Sequence, residues 1–241
     1  LLDRSRKPAR LNAEGRQLAE ATGEGLELIG RAIQDIRESA GLDSPQLTVA
    51  CTLGMATYWL MPRLPAFYRD HPGIVVNVQA PPNDLPSLTG DIDLALRYGA
   101  GAWTDGQTTR LFDGVICPVG RPDLVADLRA QGRDLTEAPL IHVRSPENRN
   151  WVGWPDYFQA TGAGRRDVRG VSCGNYGEAG QAAGDGRGLM LGWRSITQAL
   201  VDDGTLARWS EAELRPGTGY FVTSARKAAG KPATAAMLDW L

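Results

Sequence analysis

Arg97 closes an apolar run, Ile92-Asp-Leu-Ala-Leu-Arg97, and a guanidinium at such a place could hold a carboxylate through two parallel hydrogen bonds. The competing reading is an ion pair with Asp91 or Asp93. Two further segments put polar groups where a helix begins. Thr52-Leu53-Gly54-Met55 follows the run Leu47-Thr-Val-Ala-Cys51, so its backbone N–H groups and the Thr52 hydroxyl could receive an anionic group; Thr52 could equally be a plain N-cap. Gly174-Asn175-Tyr176 offers a second helix start with an amide and a phenol, or else a capped helix with a packed Tyr. Trp103, Arg144 and Trp193 fall near other expected strand ends or rim loops and are candidate lining residues. Trp151 and Trp154, three apart on an expected helix, share a face and read as core, and His142 inside an apolar strand reads as an interior residue.

This chemistry is binding rather than catalysis. A Cys–His nucleophile pair would have to draw on Cys51, Cys117 or Cys173 with His142, and no G-x-S-x-G elbow, zinc motif or phosphate loop supports it. The three cysteines are widely spaced without a C-x-x-C pair, and only His71 and His142 could complete a metal site. Neither structural zinc nor a disulfide framework is expected, and Cys117 and Cys173 read as reduced core thiols. No cofactor is expected.

The elements that must position these residues alternate. Leu47–Cys51, Ile74–Gln79 and Ile92–Arg97 read as strands, with a helix from Thr52 through about Arg69 and a short helical piece at 85–90. The order returns as Val115–Val119, a helix near 123–131, Leu140–Val143, a helix near 151–160, Val168–Cys173, a helix near 176–183 and Leu189–Leu191. A last strand, Gly219–Val222, and a last helix, Pro232–Leu241, follow. Strands alternating with helices imply parallel pairing through right-handed crossovers, hence two α/β halves with a ligand crevice at the strand ends between them.

The first forty residues differ in kind. Arg4, Arg6, Lys7, Arg10 and Arg16 face only Asp3 and Glu14 in residues 1–16, while the chain as a whole carries a formal charge of -2, so any nucleic-acid contact is local to this stretch. Pro8 interrupts a helix and Asn12 offers the N-cap of the next. From there Ala19, Thr22, Leu26, Ile29, Ile33 and Ile36 recur at intervals of three and four, a heptad seam. Gly23, Gly25 and Gly30 each cost about 1 kcal/mol of helix propensity relative to Ala, so this helix needs a partner chain or a packed neighbour. Residues 40–46 read as a helix stop and linker, with Gly41 near the C-cap. There is no apolar run of about 18 residues for a membrane span and no signal-peptide core, so a reducing cytosol is the expected compartment and no membrane partner is expected.

Taken in order, Leu-x-x-Arg…Arg-Leu-Asn-x-x-Gly at 1–15, W-L-M-P-R-L-P-A-F-Y-R-D-H-P, D-I-D-L-A-L-R-Y-G, G-L-M-L-G-W, L-V-D-D-G-T-L and G-Y-F-V resemble the LysR-type transcriptional regulators. Leu2 and Asn12 stand where that family usually has Phe and Thr. R-Y-G-A-G-A-W-T at 97–104 and W-x-x-W at 151–154 are most similar to its glycine-cleavage-activator subgroup. The resemblance implies two α/β subdomains of the type 2 periplasmic-binding-protein kind with a ligand cleft between them, preceded by a long linker helix. It assigns 1–12 to the end of a winged helix-turn-helix whose remainder would precede Leu1, with Arg4, Arg6, Lys7 and Arg10 on the DNA backbone. It assigns 13–45 to a dimerisation helix with Leu26, Ile29, Ile33 and Ile36 in the seam, 46–117 plus 216–241 to one subdomain, and 118–215 to the other. The implied partners are a small, anionic or zwitterionic effector, DNA, and a second copy of the chain in a homodimer or homotetramer. The rival reading, a solute-binding receptor of a transporter, shares the cleft but would carry a signal peptide in place of a basic wing and heptad helix.

Overall fold

The computed structural model describes residues 1–3, 10–39, 45–80, 86, 88, 91–144, 151–162, 170–210, 212–228 and 230–241. Arg4, Arg6 and Lys7, most of the 40–46 linker and most of the short helical piece at 85–90 lie outside the described residues. Two short strands open the chain, β1 (Leu2–Asp3) and β2 (Arg10–Leu11), paired antiparallel with Leu2 opposite Leu11. Asn12 caps the next element as its side chain suggests, its Oδ1 accepting from the Gly15 amide at 2.8 Å. Helix α1 (Ala13–Ser39) then runs 27 residues, about 40 Å at 1.5 Å per residue, without a break at its glycines. Its Leu26, Ile29, Ile33 and Ile36 are all exposed, so the seam does not lie against the rest of its own chain.

The first α/β layer follows. Strand β3 (Gln46–Cys51) leads into α2 (Leu53–Met55), a π-helical turn (Ala56–Leu60) and α3 (Leu64–Asp70). The single helix expected from Thr52 to about Arg69 is therefore interrupted at 61–63, where Pro62 has no amide hydrogen to continue the ladder, and Pro65 sits in the first turn of α3. Strands β4 (Val75–Gln79), β5 (Leu94–Gly99), β6 (Gly106–Asp113) and, from the far end of the chain, β12 (Gly219–Ala225) complete a five-stranded sheet in the order β4-β3-β5-β12-β6. β3 is parallel to β4 and β5, but β12 is antiparallel to both its neighbours. Strand β6 is absent from the sequence reading because Gln107-Thr-Thr-Arg110 lacks an apolar run; it is an edge strand that needs only one buried face.

The second layer centres on β7 (Ile116–Gly120), flanked by β10 (Met190–Trp193) and β11 (Ala207–Arg208), both antiparallel to it. Strands β8 (Leu140–Val143) and β9 (Gly170–Cys173) pair in parallel, and β8 reaches the others through Leu189, which exchanges backbone hydrogen bonds of 2.8 Å with Pro139 and Ile141. The uniform parallel pairing expected from alternation thus holds for β3 with β4 and β5 and for β8 with β9, and fails at β7, β10, β11 and β12. Around these strands lie α4 (Pro122–Ala130), α5 (Trp154–Thr161), α6 (Tyr176–Gly184) and α7 (Arg194–Asp202). α8 (Pro232–Trp240) closes the chain and packs Trp240 edge-on against Phe67 of α3. Strand β5 is buried along its whole length, and one apolar core runs through both layers from Phe67 and Leu96 to Ile141 and Trp154. Among the described residues no helix is long and apolar enough to cross a membrane.

The D-I-D motif is structural. Asp93 accepts from the Thr48 amide at 2.9 Å and pairs with Lys231 at 3.2 Å, pinning the start of α8 to the sheet, while Asp91 accepts from Gln79 at 2.9 Å.

Two connecting segments join the layers and run side by side. The Gly114 amide donates to the Thr218 carbonyl at 2.9 Å, and Ile116 and Leu214 exchange bonds of 2.9 and 2.8 Å. A side chain at Gly114 would place Cβ 2.8 Å from the Thr218 carbonyl oxygen and 3.0 Å from the Tyr98 hydroxyl. Gly114→Ala is therefore expected to cost about 1–3 kcal/mol of stability by overpacking. Chemical denaturation measures this, and an unchanged midpoint would show that the two segments part without cost.

Candidate functional site

A cavity of about 680 Å³ opens at the carboxyl end of β8. One wall is Ile141, His142, Val143 and Arg144 with Gly170 and Ser172 of the parallel neighbour β9; the facing wall is the segment from Trp151 to Pro155; Leu191 and Trp193 of β10 form the base. Strand ends of open α/β sheets present backbone groups and loops to a ligand, and this cavity occupies such a place. Arg144 is exposed at its rim, and its guanidinium makes no ion pair among the described residues. Its amide donates to the Cys173 carbonyl at 2.9 Å, which fixes where the side chain leaves the backbone.

The base and facing wall continue into an aromatic cluster that joins the layers. Trp151 stacks on Tyr98 of β5 (centroids 4.9 Å, planes 27° apart) and meets Trp193 edge-on at 4.5 Å. Tyr176 lies 5.6 Å from Trp193 and 6.5 Å from Tyr58 of the π turn. Tyr98 and Tyr58 come from the first layer, Trp151, Tyr176 and Trp193 from the second. The buried Nε1–H of Trp151 has no hydrogen-bond partner among the described residues. Burial raises the phenol pKa of Tyr98, although the hydrogen bond from the Thr218 hydroxyl opposes it, and burial pushes Tyr176 well above the usual phenol range. These phenols stay neutral and serve as hydrogen-bonding and packing groups. The Tyr176 hydroxyl accepts from the Trp193 amide at 3.0 Å, holding the start of α6 against β10.

Of the predicted lining residues, Arg144 and Trp193 are in the cavity wall and Tyr176 packs behind it. The two helix starts meet each other instead of facing across open space. A Cβ at Gly54 would come within 2.6 Å of the Tyr176 ring, Leu53 packs over Gly177, and the Tyr58 hydroxyl donates to the Gly177 carbonyl at 3.4 Å. Their polar side chains are spent on caps. Thr52 Oγ1 accepts from the Met55 amide at 3.2 Å and Asn175 Oδ1 from the Glu178 amide at 2.9 Å, while Glu178 accepts from the Gly174 amide at 2.7 Å.

Arg97 is elsewhere. Side chains alternate across a strand, so with Tyr98 turned toward the aromatic cluster, Arg97 points to the opposite face of the sheet. There it is buried, with two 2.7 Å hydrogen bonds to Asp105 and one of 2.8 Å to the Pro86 carbonyl. The ion-pair alternative describes it, with Asp105 in place of Asp91 or Asp93, and the guanidinium holds the Asp105 carboxyl below its ordinary range. Trp103 belongs to the same group, its ring 5.5 Å from the Arg97 guanidinium and 5.7 Å from Phe221.

The pairing of Trp151 and Trp154 on one helix face is also corrected. α5 starts at Trp154, with Gly153 as N-cap and Pro155 in the first turn, a signal readable in Trp151-Val-Gly-Trp-Pro155. Trp154 is core, its Nε1 donating to the Ile141 carbonyl at 2.9 Å, whereas Trp151 precedes the helix and lines the cavity. All three cysteines are buried and outside any disulfide; burial pushes the Cys51 thiol up to about 12 and raises Cys173 as well, which keeps both in the unreactive thiol form.

Comparison with known proteins follows this architecture. The model of the LysR substrate binding domain matches residues 40–241. The chain is 28% identical over 224 residues to the HTH-type transcriptional activator AmpR of Rhodobacter capsulatus, covering 93% of this chain and 73% of that protein. It is 29% identical over 163 residues to the glycine cleavage system transcriptional activator of Escherichia coli (strain K12), covering 66% of this chain and about half, 52%, of that activator. The effector domain of the transcriptional regulator AmpR of Pseudomonas aeruginosa has the same fold, with a TM-score of 0.66 at 24% identity over 81% of this chain and 93% of that one. CrgA, a LysR-type transcriptional regulator from Neisseria meningitidis, shares it over 100% of this chain and 82% of its own, with a TM-score of 0.62 at 16% identity.

Proposed function

Given that this chain belongs to the LysR substrate binding domain family, we propose that it is the effector-sensing and self-associating part of a ligand-responsive transcriptional regulator. Its effector is a small anionic or zwitterionic metabolite held in the 680 Å³ cavity, with its acidic group at Arg144 and its body against Trp151 and Trp193. The observation that carries this reading is the position of Trp151, which lines the cavity on one side and stacks on Tyr98 of the other layer. A ligand that shifts Trp151 must alter the contact between layers, and so biases an equilibrium between their arrangements. The packed loops at Thr52–Met55 and Asn175–Tyr176, beside that contact, move with it. Helix α1 carries the change outward through a paired partner helix, and the basic residues Arg4, Arg6, Lys7 and Arg10 contact the DNA backbone. A transporter's solute receptor has no use for an exposed heptad seam, and the curated relatives are transcriptional activators.

Thermal-shift screening against amino and organic acids identifies the effector, since a ligand at 100 times its Kd adds about 2.7 kcal/mol of stability. Calorimetric titration then tests the site. Arg144→Ala is expected to weaken binding by about 1.5–3 kcal/mol, the range for a hydrogen bond to a charged group. Full affinity in both Arg144→Ala and Trp151→Ala, with folding intact, would move the effector to another surface.

A further inference from the structure

A second cavity, of about 410 Å³, lies where the two connecting segments run side by side and shares no residue with the effector cavity. Trp59 and Arg63 reach it from the first layer, Asp113 from the end of β6, Arg194 and Ser195 from the start of α7, and Arg215 from the returning segment. Its charges do not balance. Arg194 and Arg215 share one carboxylate, Glu213, at 2.8 and 3.1 Å, and Asp113 pairs with Arg110 at 2.8 Å. Arg63 has no carboxylate partner among the described residues; it donates to the Trp59 carbonyl at 2.9 Å and lies 4.9 Å over the Trp59 ring. With Asp113 neutralised by Arg110 outside the cavity, the three lining guanidinium groups, Arg63, Arg194 and Arg215, meet one carboxylate, Glu213, leaving two positive charges in excess among the described residues. The Ser195 hydroxyl is buried without a partner among the described residues, and α7, which it helps to open, has no acidic residue in its first turn to offset the positive end of its dipole.

We propose that this cavity is a second anion site, taking a phosphate or phosphomonoester group. Such a group carries about two negative charges at neutral pH and three strong acceptor oxygens, which matches the charge excess and a donor set of guanidinium forks with one hydroxyl. A dicarboxylate could answer the charge but would span the walls at two points, whereas one compact dianion answers Arg63, Arg194 and Arg215 together. Because Arg63 belongs to one layer and Arg194 and Ser195 to the other, an anion between them draws the layers together at their connection. The site is thus a second input on the same interlayer equilibrium, and it stands whether or not the effector occupies the first cavity.

The test titrates the 241-residue chain with inorganic phosphate at constant ionic strength, chloride making up the balance, and reads melting temperature and heat of binding. Saturable stabilisation is expected. Arg63→Gln and Arg215→Gln should each weaken the apparent affinity about tenfold or more, for loss of a charged hydrogen bond, while Arg144→Ala leaves it unchanged. Arg215 is exposed, so its variant folds even if Arg63→Gln does not. A non-saturating response equal in both arginine variants would reduce the effect to general salt and overturn the proposal. So would loss of binding in Arg144→Ala with retention in Arg63→Gln, which would assign phosphate to the effector cavity.

Discussion

Ile29→Asp combined with Ile33→Asp should halve the sedimentation mass of the chain, converting a helix-paired dimer into monomers. Leu26, Ile29, Ile33 and Ile36 follow one another at intervals of three, four and three on α1 and are 65, 58, 52 and 66% exposed. Covering an aliphatic side chain of this size is worth about 1.5–3 kcal/mol, so a stripe of four is a strong drive to associate. The helix has its own need of a partner, since Gly23, Gly25 and Gly30, the three of its four glycines that lie beyond the first turn, each cost about 1 kcal/mol relative to Ala. Two Asp per chain place four carboxylates in a dry seam, and their desolvation outweighs what the remaining apolar residues contribute. The exchanged side chains are exposed in the single chain, so the near-ultraviolet circular dichroism of the aromatic cluster should not change. A mass that stays high would mean that self-association runs through another surface.

The second large effect is on the fold. Arg97→Ala is expected to lower stability by about 3–5 kcal/mol, the cost of breaking a buried ion pair, with a value near the lower end because Asp105 is partly exposed and water can take over its half of the pair. The loss also frees the Pro86 carbonyl and removes the cation under the Trp103 ring. Effector affinity, measured below the lowered melting temperature, should survive, because Arg97 and the cavity lie on opposite faces of the sheet. The converse outcome, intact stability with lost affinity, would return Arg97 to the ligand.

The same residue shows where local reading stops. That Arg97 ends a buried strand is legible from Ile92 to Arg97. Which face it points to depends on Tyr98 being claimed by Trp151, more than fifty positions away. The partner Asp105 sits in a loop after the strand, and nothing in its local sequence distinguishes it from Asp91 or Asp93. Asn12 as a cap and the spacing along α1 are readable because each acts within a turn or two of itself. The break at Pro62 and the helix start at Trp154 carry local signals too, in proline chemistry and Gly153, which outweigh the apolar periodicity around them. Strand β6 could not be seen, because an edge strand with one wet face needs no apolar run.

By itself, the sequence determined the alternation of strands and helices, the cap and seam of α1, and the family of the fold. These rest on backbone propensity and on periodicities of two and three to four residues, which are properties of short segments. Long-range packing set the rest: the two helix starts close on each other, Trp151 rather than Thr52 meets the cavity, and Arg63, Arg194 and Arg215 gather at the connection between layers. Those arrangements bring together residues 50 to 150 positions apart, and they are set by which buried surfaces pack most completely, a choice that no single segment carries.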